Sequence, residues 1–195
     1  MKYFWDERFA QQDYIYGKEP NVFIKQELDK LKVGKILFPA EGEGRNSVYA
    51  AELGWDVEAF DLSNEGRNKA LRLAKEKNVC ISYDVRGMSD INFAEKSFDA
   101  IALSFFHGLG RRENHRKLLS LLKPGGKLIL QGFSKEQLKY KSGGPNREDM
   151  LFSSEELLED FFGVKEISIK TKVEKLNEGL YHRGEASIIE LTLTK

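Results

Sequence analysis

Between residues 35 and 133 the chain alternates short apolar runs with stretches of helical periodicity. We predict strands at "KILF" (35–38), "DVEAF" (56–60), "VCISY" (79–83), "FDAIALSFF" (98–106) and "GKLILQGF" (126–133). We predict helices at "RNSVYAAEL" (45–53), "NEGRNKALRLAKEK" (64–77) and "RENHRKLLSLL" (112–122). This alternation favours right-handed βαβ crossovers and a parallel sheet covered by helices on both faces. Ligands of such sheets bind outside the carboxyl ends of the strands.

The two ends of the chain have a different character. Residues 1–31 combine an aromatic-rich segment with a helix that is predicted to open near Asn21. Near the other end, a helix at 153–162 precedes two strand-like runs at 164–176 and 185–194. Residues 177–184 between them are typical of a hairpin loop. If the first run is parallel to the sheet, this loop lies at the ligand-binding edge.

Charge and composition exclude several classes of protein. Lys plus Arg and Asp plus Glu both number 31, so no net charge attracts the chain to nucleic acid or to an anionic membrane. The single cysteine, Cys80, excludes a disulfide framework and is predicted to lie on a buried strand. With no secretory pattern, repeat or linker, we expect one cytoplasmic domain that contacts neither nucleic acid nor membrane.

The stretch "AEGEGRN" (40–46) follows the first predicted strand and contains Gly42 and Gly44. Three interpretations compete: a phosphate cradle, a loop that lets another part of a nucleotide-like cofactor approach the backbone, and a plain strand-to-helix turn. The stretch lacks the third glycine of a dinucleotide fingerprint and the Lys-Ser/Thr of a P-loop, which weakens the phosphate interpretation.

Two carboxylates follow the next predicted strands. Asp61 ends the second strand, where an acidic residue commonly accepts hydrogen bonds from ribose hydroxyls. The alternative is a helix N-cap, although Ser63 or Asn64 can serve there. Asp84 follows the third strand and is a candidate for an adenine amino group, with Val85 against the ring.

The stretch "LLKPGGKLILQGF" (121–133) joins a predicted helix to a predicted strand. Pro124 and Gly125 fit the central positions of a type II turn that leads directly into the strand.

The ordered set "AEGEGRN", "AFDLS", "SYDV", "SFDAIALSFFH" and "LKPGGKLIL" resembles the class I S-adenosylmethionine-dependent methyltransferases over about residues 20–195. "WDERFAQQDYIYGKEPN", "GGP" (143–145) and "EGLYHRGEA" (178–186) further resemble the bacterial branch near tellurite-resistance and thiopurine methyltransferases. The resemblance implies an α/β fold with a Rossmann-like, doubly wound, seven-stranded sheet, mostly parallel with the last strand antiparallel. It implies one domain over 1–195, in which residues 32–195 form the core.

The same resemblance implies S-adenosylmethionine as the cofactor. It places the methionine part over Ala40 to Gly44, the ribose on Asp61, and residues 104–106 beneath the cofactor. The cofactor-binding residues in this pattern are Ala40, Glu41, Gly42, Gly44, Asn46, Asp61, Leu62, Asp84, Val85 and Ser104. From the aromatic N-terminal segment, whose ring faces favour a sulfonium cation, we expect Tyr14 or Tyr16 to lie nearest the cofactor. Phe38 and Ala40 depart from the family pattern, which has an acidic residue and a glycine there. Glu41, Glu43 or backbone carbonyls then have to balance the cofactor ammonium.

Two histidines are candidate general bases. His107 follows the fourth strand and His182 lies in the predicted hairpin loop. A soft acceptor such as a thiolate needs no base, whereas an oxygen or nitrogen acceptor has to lose a proton.

In the aromatic N-terminal segment, Trp5 and Phe9 are four residues apart, which fits either a cap over the cofactor or a core stripe. His115 and its neighbours Arg111, Arg112, Arg116 and Lys117 are predicted to form a solvated helix face, and no metal site is predicted.

The resemblance and the absences favour a small acceptor, of the thiol, metalloid or heteroaromatic kind. "SFFH" (104–107) lacks the Asn/Asp-Pro-Pro-Tyr of amino-group nucleic-acid methylation, and the chain lacks the Pro-Cys of cytosine methylation. Two alternatives stay open: a nicotinamide-dependent oxidoreductase, and a non-catalytic module that binds S-adenosylmethionine. The sequence does not determine the oligomeric state.

Overall fold

The computed structural model describes residues 2–195, in which helices flank a single seven-stranded sheet. The strands are β1 (Lys35–Pro39), β2 (Asp56–Asp61), β3 (Ser82–Val85), β4 (Phe98–Ser104), β5 (Leu122–Phe133), β6 (Glu166–Glu178) and β7 (His182–Thr194). The helices are α1 (Lys2–Phe9), α2 (Val22–Leu28), α3 (Arg45–Glu52), α4 (Asn64–Glu76), α5 (Arg111–Leu121) and α6 (Ser154–Asp160).

The strand order is β3-β2-β1-β4-β5-β7-β6. β7 is antiparallel to both β5 and β6, and the pairs among β1 to β5 are parallel. The predicted α/β fold with an antiparallel last strand is therefore confirmed. β1 and β4 are neighbours although two strands separate them in the chain, so the order reverses there. That reversal opens a crevice outside the carboxyl ends of β1 and β4.

Apolar strand residues are covered on both faces of the sheet. One buried cluster joins β4, β5 and β7 to α5 and α6, and includes Phe98, Leu118 and Leu157. A second joins β1 and β2 to α2 and α3, and includes Ile24 and Phe38. The central strands β1 and β4 are apolar along most of their length because both of their faces are buried.

Side-chain caps fix where two helices begin. Asn21 accepts a hydrogen bond from the Ile24 amide (3.0 Å) at the start of α2. Ser63 accepts one from the Gly66 amide (3.0 Å) at the start of α4. Since Ser63 is the N-cap of α4, Asp61 is left for another role.

The third strand differs from its prediction. β3 begins at Ser82, and residues 79–81 precede it. The Val79 amide donates to the Ala74 carbonyl (3.0 Å), and Asn78 has a φ of 56°, so the chain is still closing α4 at this point. Val79 and Ile81 pack against the buried cluster that contains Leu73 and Ala74 of α4. The prediction that Cys80 lies on a buried strand is wrong, because Cys80 is exposed.

A Pro-Gly step interrupts β5 near its start. Gly125 has a φ of 79°, which the third position of a type II turn requires. The pairing with β4 shifts register between Phe98 and Ala100 at this level. β5 begins at Leu122, immediately after α5, so the turn is a bulge inside the strand.

His115 corrects the prediction of a solvated face on α5. Only 2% of the residue is exposed, and its Nδ1 lies 2.8 Å from Asp160 of α6. His115 is spaced three residues from Leu118, which is also buried. It therefore belongs to the inner face of the helix.

The β6–β7 hairpin ends in a three-residue turn at residues 179–181. The Leu180 amide donates to the Ile15 carbonyl (2.8 Å), which docks the turn on the N-terminal segment. A Cβ on Gly179 would lie 2.0 Å from the same carbonyl oxygen, so the contact requires glycine. Within residues 2–195, no helix combines the length and apolar character needed to cross a bilayer.

Candidate active site

A cavity of about 520 Å³ lies outside the carboxyl ends of the central strands. This volume is within the usual range for small-molecule sites. The predicted site residues that line it are Tyr16, Ala40, Glu41, Gly42, Asn46, Asp61, Leu62, Ser104, His107 and His182. Tyr14, Gly44, Asp84 and Val85 do not line it. The cavity thus forms where the strand order reverses.

The loop after β1 contains three residues in the left-handed region: Ala40 (φ 50°), Gly42 (φ 63°) and Gly44 (φ 89°). A Cβ on Gly44 would lie 2.5 Å from the Ala70 Cβ, so this glycine lets α3 pack against α4. A Cβ on Gly42 would meet the Phe9 ring at 3.1 Å. The first glycine of the pair therefore makes room for the N-terminal helix, and the second for helix packing.

Glu41 and Glu43 have different environments. Glu43 is buried and forms a 2.7 Å salt bridge with Lys69. Glu41 accepts from the amides of Asn46 (2.8 Å) and Ser47 (2.7 Å) through Oε1 alone, and within residues 2–195 no group bonds its other oxygen. Burial raises the pKa of Glu41 to about 7. Glu41 is thus the carboxylate with capacity left for a cationic ligand.

Asp61 lines the cavity at the end of β2. Its Oδ2 accepts from the Gly42 amide (3.2 Å), and its Oδ1 accepts from the Ser63 amide (2.9 Å). Burial raises the pKa of Asp61 to about 6, against the lowering effect of these amides. The amides hold the carboxylate in one orientation while each oxygen keeps acceptor capacity.

The N-terminal helix α1 closes one side of the cavity. Trp5 and Phe9 stack with their ring centroids 5.4 Å apart, and both line the cavity. Phe9 is only 2% exposed, so it belongs to the buried core as well as to the cavity wall. The core interpretation is therefore confirmed at Phe9, and the cap over the cofactor stays a prediction. Asp6 fastens the helix to the start of α4 by accepting from the Ser63 hydroxyl (2.7 Å).

Tyr14 and Tyr16, in the segment after α1, have different environments. Tyr14 donates its hydroxyl to the Lys69 carbonyl (3.0 Å) and packs beside the buried cluster that contains Val48. Tyr16 lines the cavity, and its ring centroid lies 4.6 Å from that of His182. Of the pair, Tyr16 is placed to touch a ligand.

His107 has both ring nitrogens engaged. Its Nε2 accepts from the Phe133 amide (2.9 Å), so Nδ1 carries the proton and donates to the Met150 carbonyl (2.8 Å). Burial lowers the pKa of His107 to about 4. This histidine holds the segment around Met150 against β5 and has no lone pair free for a substrate proton.

His182 has one engaged nitrogen. Its Nδ1 lies 3.3 Å from the Glu178 carboxylate, and within residues 2–195 Nε2 has no hydrogen-bond partner. Burial lowers the pKa of His182 more than Glu178 raises it. The carboxylate orients the ring with the proton on Nδ1, which leaves the Nε2 lone pair as a proton acceptor.

A buried polar network behind His182 was not predicted from the sequence. Glu178 accepts from Arg45 (3.0 Å) and from Asn21 (2.8 Å), and Asn21 also donates to Gln131 (2.6 Å). Burial raises the pKa of Glu178, but the His182 hydrogen bond and the Arg45 charge outweigh it and lower the pKa to about 2. Glu178 is therefore ionised at any ordinary pH. The network joins Glu178 to α3 and to the start of α2, and through Asn21 to β5, so no local pattern marks its members.

Residues 36–126 match the family model described as "Methyltransferase domain". Just under half of the chain is therefore similar to a methyltransferase domain. A curated relative, the demethylmenaquinone methyltransferase of Renibacterium salmoninarum, is 34% identical over 104 residues. The match covers 51% of this chain and 41% of the relative, so the chain aligns with less than half of that protein.

Solved structures share the fold along the whole chain. A structure from work on the conversion of a disulfide bond into a thioacetal group during echinomycin biosynthesis has a TM-score of 0.75 and 16% identity. That match covers 100% of this chain and 91% of the other. TehB from Haemophilus influenzae has a TM-score of 0.74 and 16% identity, over 100% of this chain and 66% of its own.

The methyltransferase pattern expects an acidic residue for the adenine amino group at the end of the third strand; here that residue, Asp84, lies within β3 and does not line the cavity. The Asp84 carboxylate pairs with Arg86, and its side chain is 48% exposed. Arg86, Gly87 and Met88 line the cavity instead. A Cβ on Gly87 would lie 3.2 Å from the Leu62 side chain, so the glycine lets these two walls meet. In the sequence, Gly87 after β3 is the feature that could have indicated this part of the cavity wall.

Proposed function

We propose that this protein transfers the methyl group of S-adenosylmethionine to a small acceptor of the thiol, metalloid or heteroaromatic kind. The observation that carries the proposal is the cavity of a class I methyltransferase fold with Asp61 and Glu41 on one wall and aromatic side chains on another. Carboxylates suit the hydroxyl and ammonium groups of the cofactor. Aromatic walls suit a planar acceptor and favour a sulfonium cation.

The residues present fit the cofactor. Glu41 has an oxygen available for the ammonium group, and Asp61 has acceptor capacity for ribose hydroxyls. Trp5, Phe9 and Phe105 line the cavity and exclude water from it. When bound, S-adenosylmethionine supplies a methyl carbon that bonds to the acceptor as its bond to sulfur breaks, with the electron pair staying on sulfur in neutral S-adenosylhomocysteine.

His182 is the residue best placed to take a proton from the acceptor. Its Nε2 lone pair is available, its ring lies 4.4 Å from that of Phe105 after β4, and Glu178 steadies the imidazolium that would form. A thiol that is already ionised has no proton to give. The need for His182 therefore depends on the acceptor atom.

Replacing His182 with glutamine is expected to lower kcat/KM about 10²- to 10⁴-fold for an acceptor that loses a proton from oxygen or nitrogen. The base acts when neutral, and burial holds its pKa below the usual 6.5. The wild-type rate should then rise as pH increases through that lowered pKa, and the variant should lack this limb. An ionised thiol should be methylated by both proteins at rates within a factor of about 10. If the variant keeps the wild-type pH profile and full cofactor affinity, a group other than His182 removes the proton from the acceptor.

The proposed function is tested by binding and turnover together. Calorimetry with S-adenosylmethionine, S-adenosylhomocysteine and NADH should show binding of the first two alone. A panel of aromatic thiols, selenite, tellurite and nitrogen heterocycles should then give S-adenosylhomocysteine in stoichiometric amounts with a methylated product. Binding of NADH alone would support the oxidoreductase alternative. Cofactor binding without turnover on any acceptor would support the non-catalytic module.

A quinol is a second candidate acceptor. The curated relatives are demethylmenaquinone methyltransferases, and the aromatic walls of the cavity suit a fused-ring acceptor. Methylation at carbon requires loss of a ring proton, which His182 is placed to accept. Turnover of a soluble reduced naphthoquinone, with no turnover of thiols, would favour this acceptor.

A further inference from the structure

We propose that Arg8 recognises a carboxylate on the acceptor, so that the substrate is an aromatic acid; this rests on the proposed function. Arg8 lies on α1 and lines the cavity beside Tyr16 and His182. Two other arginines line it, and both are neutralised: Arg45 by Glu178 and Arg86 by Asp84. Within residues 2–195, Arg8 forms no salt bridge.

The Arg8 guanidinium packs against aromatic rings. Its central carbon lies 4.4 Å from the centroid of Phe4 and 4.3 Å from that of Tyr181. The Trp5 centroid lies 5.3 Å away. One guanidinium donor goes to the Tyr16 hydroxyl (3.2 Å). A guanidinium restrained by ring contacts loses little freedom on binding, and its remaining donors match the two oxygens of a carboxylate.

The charges that line the cavity are separated. The carboxylates of Glu41 and Asp61 lie at the ends of β1 and β2, where the cationic cofactor is proposed to bind. Arg8 lies with Tyr16 and His182, and the His182 ring is in contact with Phe105 and Phe133 (centroids 4.4 and 5.2 Å). A cation among aromatic side chains is stabilised most by a ligand that brings the opposite charge. An aromatic ring with one carboxylate complements this wall.

Two matched probes test the proposal: 4-mercaptobenzoate and its neutral analogue 4-mercaptobenzamide. The wild-type protein should prefer the acid in kcat/KM by about 10- to 100-fold, the range for a hydrogen-bonded charge pair. Arg8→Met should abolish this preference, because it should raise the KM for the acid about 10- to 100-fold more than the KM for the amide. Arg116→Met removes the same charge from the exposed face of α5 and should keep the preference.

Equal kcat/KM for acid and amide in the wild type, or a preference that survives in Arg8→Met, would overturn the proposal while methyl transfer itself stands. If neither probe is methylated, binding of benzoate and benzamide to the S-adenosylhomocysteine complex separates the two ideas. A preference for benzoate that depends on Arg8 would then keep the carboxylate site and reject thiol methylation. No preference for benzoate would reject the carboxylate site as well.

Discussion

Replacing Asp61 with alanine is expected to weaken the binding of S-adenosylhomocysteine about 100-fold. Asp61 lines the cavity, and the amides of Gly42 and Ser63 fix its carboxylate. If the ribose hydroxyls donate two hydrogen bonds to this carboxylate, their loss at about 1.5 kcal/mol each amounts to about 3 kcal/mol. Calorimetric titration of the wild type and the variant measures the difference directly.

Asp56 provides the matched control, because it begins the same strand that Asp61 ends. Its side chain is 70% exposed and lies at the amino end of β2, the opposite end from the cavity. Asp56→Ala should bind S-adenosylhomocysteine like the wild type. A second variant, Asp61→Asn, keeps the size of the side chain and removes its charge, which separates loss of binding from local collapse. Wild-type affinity in Asp61→Ala, with the fold intact by circular dichroism, would contradict the assignment of Asp61 to the cofactor.

The Asp61 prediction rests on a position that the sequence already indicated. Strand ends can be predicted from apolar runs, and ligands of parallel sheets gather at the carboxyl ends. Asp61 was predicted on this basis, and Ala40 and Ser104 from the family resemblance; all three line the cavity. Periodicity does not predict which way side chains point in irregular segments. Tyr14 and Tyr16 are two residues apart, and nothing local distinguishes the one that faces the cavity.

The two candidate bases show the same limit in chemical terms. His107 and His182 both line the cavity, so their sequence positions were informative. Their roles depend on partners distant in the chain: Met150 and the Phe133 amide occupy both nitrogens of His107, whereas Glu178 occupies one nitrogen of His182. Hydrogen-bond partners of this kind form only when the chain has folded. The sequence therefore nominates a base, and the structure favours His182.

The sequence contained a signal that His115 is buried, but the charged residues around it obscured that signal. The surrounding "RRENHRKLL" predicts a solvated helix surface by composition, yet His115 lies three residues before the buried Leu118. Helical spacing places both on one face. Its partner Asp160 is on α6, so the burial of this histidine becomes explicable only once α5 and α6 pack together. For a single polar residue, spacing was a better guide than local charge.

Replacing Glu43 with glutamine is expected to lower the free energy of unfolding by about 3–5 kcal/mol, the usual cost of leaving one partner of a buried ion pair uncompensated. The side chains of Glu43 and Lys69 are only 3% and 6% exposed, and their charged atoms are 2.7 Å apart. Glu43 also accepts from the Ile15 amide (2.8 Å). It thereby holds the segment that places Tyr16 against the cavity. Urea unfolding followed by circular dichroism measures the loss.

The double variant Glu43→Gln/Lys69→Met decides whether the buried charge is the cause. Removing both charges should restore part of the stability, because the glutamine no longer faces an uncompensated ammonium. The exposed pair Lys18–Glu76, with both side chains 44% exposed, gives the control: Glu76→Gln should cost less than about 1 kcal/mol. A loss in Glu43→Gln no greater than in Glu76→Gln would show that water reaches Lys69. The loop after β1 would then be held by its backbone contacts and by Phe9 against Gly42, with the ion pair contributing little.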